Sequence, residues 1–164
     1  MTVELIPTRD DEREIFAVNL QTSFQKAADE ELGNDNDEEI ISRDEIFETF
    51  NMTGAQVLNI LCDGKIVGGA VVIVRPTNIN ELSLFFINVD CRGKGIGYVA
   101  LCAIEKFFPN TKIWELSTPH FAKRNLHFYI NKCGFHAVEF FGPLHPSKET
   151  DEDYSFRFEK VMER

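Results

Sequence analysis

The sequence predicts a single α/β (α+β) domain: a mixed, mostly antiparallel central sheet of six to seven strands flanked by about four helices. Three observations lead there. Three apolar runs, Val57 to Cys62, Ile66 to Val74 and Leu82 to Val89, follow one another with only the turn formers Asp63-Gly64-Lys65 and Pro76-Thr77-Asn78 between them, as in an antiparallel meander. The third run passes through Arg92-Gly93-Lys94-Gly95-Ile96-Gly97-Tyr98 into Ile96 to Phe108, which is apolar almost all round and ends at Pro109-Asn110, a buried helix closed by a turn. The length of 164 residues fits one domain able to bury roughly 70% of its unfolded-chain surface, and no repeat or linker divides it.

Ahead of the meander come an N-terminal strand and two helices. Between the helices, Asp29 to Glu39 holds seven acids and no base and reads as a solvated connecting loop. Its alternative use, with Phe47 and Phe50 of the following helix, is to border a site that attracts a cationic amine. Beyond the buried helix, Lys112 to Leu116 gives one more strand. Thr118-Pro119 then reads as a helix start, Thr as N-cap and Pro at the first helical position, with Gly134 as the stop. On that helix Asn125 and Tyr129, four apart, share a face. Ala137 to Phe141 and Tyr154 to Val161 complete the sheet, with the acidic run Glu149 to Asp153 in the turn between them.

Composition excludes several classes. A net charge of −10 argues against a nucleic-acid surface, and no apolar run reaches the ~18 residues of a membrane span. Fifteen Phe supply much of the core. Cys62, Cys91, Cys102 and Cys133 are dispersed without a C-x-x-C pair, so no zinc or other metal site is expected, and with no secretory leader before Val3 reduced thiols in a cytoplasm are the expectation.

The glycine-rich turn carries the chemistry. Gly93, Gly95 and Gly97 let the backbone take φ > 0 and approach a ligand, the first N–H groups of the following helix point outward, and Arg92 and Lys94 add positive charge. In an acidic chain this is a seat for pyrophosphate. The triphosphate P-loop fails, because Lys94 lies between two glycines with no Ser or Thr beside it. The dinucleotide fingerprint matches Gly95-Ile96-Gly97-Tyr98-Val99-Ala100, with Glu115 twenty residues beyond Gly95 as ribose acid. That fold, however, places its fingerprint after the first strand of a long alternation, which needs more chain than remains after Gly97. A third pattern, [RQ]-x-x-G-x-[GA] between strand and helix, matches Arg92-x-x-Gly95-x-Gly97, and downstream stands Asn125-x-x-x-Tyr129-x-x-x-Cys133-Gly134-Phe135.

These two motifs, in this order, resemble those of the GNAT superfamily of N-acetyltransferases, and the resemblance runs at least from Val57 to Phe141. It implies acetyl-CoA as co-substrate, with its pyrophosphate on the N–H groups of Gly93, Lys94, Gly95, Ile96, Gly97 and Tyr98 and on Arg92. It also puts Ile87, Asn88 and Val89 alongside pantetheine, a backbone N–H near Ile87 facing the acetyl oxygen and the Asn88 side chain turned off the cofactor path. Such free groups exist only where a central strand splays from its neighbour. Tyr129 is then the candidate general acid for the leaving thiolate, although a Tyr on an amphipathic helix ordinarily packs its ring into the core. Asn125 would hydrogen-bond pantetheine or orient the loop.

Glu81, six residues before Ile87, is the candidate general base; strict alternation puts both on one face, and a bulge between them would separate them. It could equally be a solvated strand start beside Asn80. Ser83 and His120 are lesser candidates, His127 lies off the Asn125 face, and His136 and His145 have no supporting context. Cys91 and Cys133 flank the motifs without a base to activate them. The implied activity is direct transfer of acetyl to the primary amine of a small-molecule or peptide acceptor. A longer acyl donor, a non-catalytic acyl-CoA-binding or sensing module and a dinucleotide-binding protein are the alternatives, and a homodimer is plausible.

Overall fold

A computed structural model of the chain describes residues 1–33, 39–147 and 154–163. Among these, seven strands form one sheet: β1 (Val3–Pro7), β2 (Ala55–Cys62), β3 (Lys65–Ile73), β4 (Ile79–Ile87), β5 (Ile113–Pro119), β6 (His136–Phe141) and β7 (Ser155–Val161), in the spatial order β1-β2-β3-β4-β5-β7-β6. Every neighbouring pair is antiparallel except β4 and β5, which run parallel. The helices are α1 (Arg13–Leu32), α2 (Arg43–Phe50), α3 (Ile96–Phe107) and α4 (Lys123–His127), the last continued by a π-helical turn, Phe128–Lys132.

The meander turns are built as their residues dictate. Cys62 pairs with Lys65, leaving a two-residue loop in which Asp63 (φ 51°) and Gly64 (φ 83°) are both left-handed, the mirror-image turn whose twist suits a hairpin. Two cores lie on the two faces of the sheet. On one, Phe16, Leu20, Ile46 and Phe50 of α1 and α2 pack on Val57, Val71, Ile73, Leu84 and Phe86. Phe16 stands edge-on to Phe50 at 5.4 Å and to Phe86 at 5.2 Å, directly over Gly69, where a Cβ would fall on its ring. On the other face Ile96, Ala100, Leu101 and Ile104 of α3 pack with Tyr129 on Ile60, Val72, Leu82, Trp114, Leu116 and Phe158. Each large side chain so buried contributes about 1.5–3 kcal/mol, which places both helical layers under strong constraint.

Three expectations are corrected. Thr118 and Pro119 finish β5, pairing with Phe156 and Ser155, and the helix begins only at Lys123. A local capping preference of about 1 kcal/mol is outweighed by continuing a ladder that buries Thr118. The acidic stretch is not all loop: Asp29 to Leu32 are the last turn of α1, Glu39 lines an open groove against α1 with Gln21, Gln25 and Asp29, and residues 34–38 lie outside the described part, as does the run Glu149 to Asp153. Phe50 borders no site, because it is buried in the core under α1, with Phe47 edge-on to it at 5.0 Å.

Candidate functional site

The site is built by two strands that part company. β4 and β5 pair only over Ile79–Glu81 against Ile113–Glu115, yet β4 runs on to Ile87 and β5 to Pro119, so a wedge opens between them. The free backbone groups in it follow from register. Asn88 N–H donates to Val67 C=O at 2.7 Å, which makes Gly68 and Ile87 a non-hydrogen-bonded pair. Ile87, and Phe85 two residues earlier, therefore turn their N–H and C=O away from β3 and into the wedge. The Ile87 carbonyl is held there by the Ser23 hydroxyl of α1, which donates to it at 3.1 Å.

At the wide end stands the glycine turn. Gly93 (φ 81°) and Gly95 (φ 77°) are left-handed, and a Cβ on either would meet nothing within 4 Å. Gly95 caps α3, whose first bond is Val99 N–H to Gly95 C=O at 3.4 Å, so the N–H groups of Ile96, Gly97 and Tyr98 precede any intrahelical partner. Gly97 faces inward, 3.5 Å from the Phe128 ring and 3.9 Å from the Ile87 side chain measured from its would-be Cβ. Open space over two glycines, outward N–H groups and the positive end of a twelve-residue helix fit a diphosphate. Lys94 is exposed, whereas the Arg92 guanidinium is held by Glu30 of α1 at 3.1 Å. Asn88 turns its side chain under α1, where its buried Oδ1 has no partner and faces a cavity of about 190 Å³ shared with Glu12, Asn19 and Asn59.

Glu81 and Ile87 do not share a face. Val72 pairs with Leu82 but Val71 with Leu84, so Ser83 is an extra, bulged residue that reverses the facing of everything after it. Glu81, opposite Ile73, thus looks to the α1 and α2 side, where its carboxylate meets Arg75 at 3.3 Å. Nor is the strand start solvated: Asn80 is buried, accepting from Arg75 N–H at 2.9 Å and donating to Thr111 at 2.7 Å. Glu81, Glu115 and Glu159 lie in register across β4, β5 and β7, a row of like charges balanced by Arg75 (3.1 Å from Glu115) and Arg157 (2.7 Å from Glu159). Glu115 is tied into this row in mid-strand, away from the glycine turn, and the sheet is mostly antiparallel; both facts remove the dinucleotide reading.

Asn125 and Tyr129 differ in burial. From Phe128 on, a π turn closed by Cys133 N–H to Phe128 C=O at 3.1 Å spends five residues where an α-turn spends four. Asn125 is exposed, while the Tyr129 ring is buried among Phe128, Phe135 and Phe158. Burial, and secondarily the Cys133 thiol, push the phenol well above its ordinary range; burial likewise pushes Cys133 up to about 12. His120 is held at the end of β5, its ring 3.3 Å from the Tyr154 carbonyl. Phe85 and Phe128 escaped sequence reading: they stack at 6.5 Å and 9° beside Gly97, and only the bulge, invisible in composition, brings Phe85 to that face.

The acetyltransferase (GNAT) family model matches residues 17–135, nearly three quarters of the chain. The chain belongs to the GNAT family of acetyltransferases. It is 43% identical over 162 residues to the protein YrkN of Bacillus subtilis (strain 168), covering 91% of this chain and 88% of that one. Among solved structures it resembles the PaiA N-acetyltransferase of Thermoplasma acidophilum in complex with coenzyme A, at TM-score 0.67 and 17% identity over 99% of this chain and 100% of that one. It also resembles the ribosomal-protein-S18-alanine N-acetyltransferase of Escherichia coli, with TM-score 0.73 and 10% identity over 99% and 96% of the two chains. The spermidine N-acetyltransferase of Vibrio cholerae, in complex with CoA and spermine, matches at TM-score 0.69 and 13% identity over 97% and 95%. At these identities the structural likeness speaks for the fold of this GNAT protein.

Proposed function

We propose that this GNAT protein binds acetyl-CoA in the wedge between β4 and β5 and transfers the acetyl group to a primary amine by direct attack in a ternary complex. The observation that carries this is the early end of the β4–β5 ladder, which leaves the N–H groups of Phe85 and Ile87 without a ladder partner, together with the uncapped N–H groups at the start of α3. The N–H groups from Gly93 to Tyr98, with Arg92, take the pyrophosphate; Ile87 to Val89 run along pantetheine; and the Ile87 or Phe85 N–H polarises the thioester carbonyl. Asn125 orients the pantetheine side of the path. The amine nitrogen forms a bond to the acetyl carbon as the carbon–sulfur bond breaks. Glu81, directly or through water, takes the proton the amine gives up, and Tyr129 supplies one to the departing sulfur.

The acceptor we assign is a cationic amine, small molecule or peptide. Its support is the row Glu81, Glu115, Glu159 with Glu139, four carboxylates on the sheet face that carries α1 and α2, set against Arg75, Arg157 and, on Glu139, His145 at 2.6 Å. A relative in structure that binds spermine accords with that chemistry. The test is thermal unfolding with acetyl-CoA, CoA and NAD added separately. CoA species at ~100 times their dissociation constants should stabilise by about 2.7 kcal/mol, and NAD should not. Thiol release with a panel of amines follows, using Tyr129→Phe as control: turnover falls while CoA affinity holds. Stabilisation by NAD alone would refute the assignment, and undiminished turnover in Tyr129→Phe would remove that residue's role.

A further inference from the structure

The last turn of α1 carries Asp29, Glu30 and Glu31 and no base, three carboxylates at the negative end of a helix dipole, where acids are disfavoured. The arrangement is tolerated because two guanidinium groups reach in from elsewhere. Glu30 Oε1 accepts from Arg92 at 3.1 Å and Oε2 from Arg124, at the start of α4, at 2.6 Å, and the Arg124 backbone N–H donates to Glu31 at 3.3 Å. One carboxylate thus bridges two arginines from opposite rims of the wedge, as an oxygen pair of a phosphate group would. We propose that Arg124 is a second phosphate-binding guanidinium for the CoA co-substrate, and that Glu30 is a built-in stand-in anion which holds the Arg92–Arg124 pair until a phosphate of the co-substrate displaces it. This rests on the wedge reading above.

The charges support a competition. Arg92 stands at the turn whose N–H groups are free, and a diphosphate seated there brings negative charge against the Glu30 carboxylate; the two cannot both keep the same guanidinium without repulsion. Glu30 is the partner free to yield, since its side chain is 27% exposed at a helix end, and Arg124, 72% exposed, can follow the incoming group. Phosphate offers three or more acceptor oxygens where the carboxylate offers two, so the exchange gains hydrogen bonds.

The experiment is calorimetric titration of CoA and of 3′-dephospho-CoA into the full chain and into Glu30→Gln, Arg124→Gln and Arg124→Lys, with a ligand-free melt of each to establish folding. Both Gln variants break the same ion pair, so bracing of the fold alone would shift CoA affinity in the same direction in both. The stand-in role requires opposite directions: Glu30→Gln binds CoA tighter and Arg124→Gln weaker, each by about tenfold at low salt and less at high salt, with Arg124→Lys between. A loss in Arg124→Gln seen with CoA but not with 3′-dephospho-CoA assigns the 3′-phosphate; an equal loss with both assigns the diphosphate. Shifts of the same sign, or unchanged CoA binding in Arg124→Gln, overturn the inference while the wedge stands. No CoA binding by the unaltered protein overturns both.

Discussion

Replacing Gly95 by Ala tests whether backbone conformation at the turn is what makes the anion seat. Gly95 sits at φ 77° and ψ 7° as the cap of α3, and a Cβ there meets no atom within 4 Å, so the change adds strain without a clash. Holding an L-residue left-handed costs about 1–2 kcal/mol, partly offset by about 0.4–1 kcal/mol from a stiffer unfolded chain. The net loss is about 1 kcal/mol, or about 3 °C in melting temperature for a chain of this size. If the strain is relieved by turning the loop, the N–H groups of Ile96, Gly97 and Tyr98 lose their common aim. CoA affinity should then fall by about tenfold, the value of one charge-assisted hydrogen bond. Gly95→Asn separates the causes, because Asn accepts the left-handed region; it should melt near the parent and retain most CoA binding. The assay is a melt and a CoA titration of all three proteins. An Ala variant matching the parent in both, or an Asn variant as unstable as Ala, would refute the reasoning.

Two further outcomes are expected. Raising pH should destabilise the fold in two stages: Cys133 and Tyr129 both have folded-state values above their unfolded ones, so the stability they contribute is intact below pH 9 and erodes as protons leave the unfolded chain first. Urea melts should show loss beginning near pH 9 for Cys133, with a smaller share from Cys91, whose thiol burial also pushes up, and steepening above pH 10 for Tyr129, by up to ~1.4 kcal/mol per pH unit per group, with Cys133→Ala reducing the first stage. Gly68→Ala should be severe, more than ~2 kcal/mol in a urea melt, because its Cβ would fall on the Phe86 carbonyl oxygen, a backbone atom in a paired strand that cannot step aside; Gly69→Ala, whose nearest obstacle is the movable Phe16 ring, should be largely rescued by Phe16→Leu.

Much of this was legible in the chain itself, and where it was not, distance along the chain explains why. The Asp63-Gly64 hairpin and the run from Arg92 to Gly97 encode their geometry locally, in residues that tolerate positive φ, and both stand where they were read. The end of β5 could not be read, because Thr118 and Pro119 are held by Phe156 and Ser155, more than thirty residues on. The Ser83 bulge and the π turn at Phe128 each add one residue to a regular period, which no propensity marks. The bulge decided the facing of Glu81 relative to Ile87. The hold of Glu30 on Arg92 spans 62 residues and has no sequence signature at all.

The short β4–β5 ladder has a mechanical side. With three residue pairs at that junction, the sheet is two panels, β1 to β4 and β5 to β6, hinged on a narrow seam, and Arg75 is the clip across it, reaching Glu81 on one panel and Glu115 on the other. A ligand lying along Phe85 and Ile87 would fill the place of the missing rungs and act as a further strand. Occupancy would then be felt as stiffness: amides of β4 and β5 beside the seam, not only those touching the ligand, should exchange more slowly when the wedge is full, so a ligand there would complete the architecture that holds it.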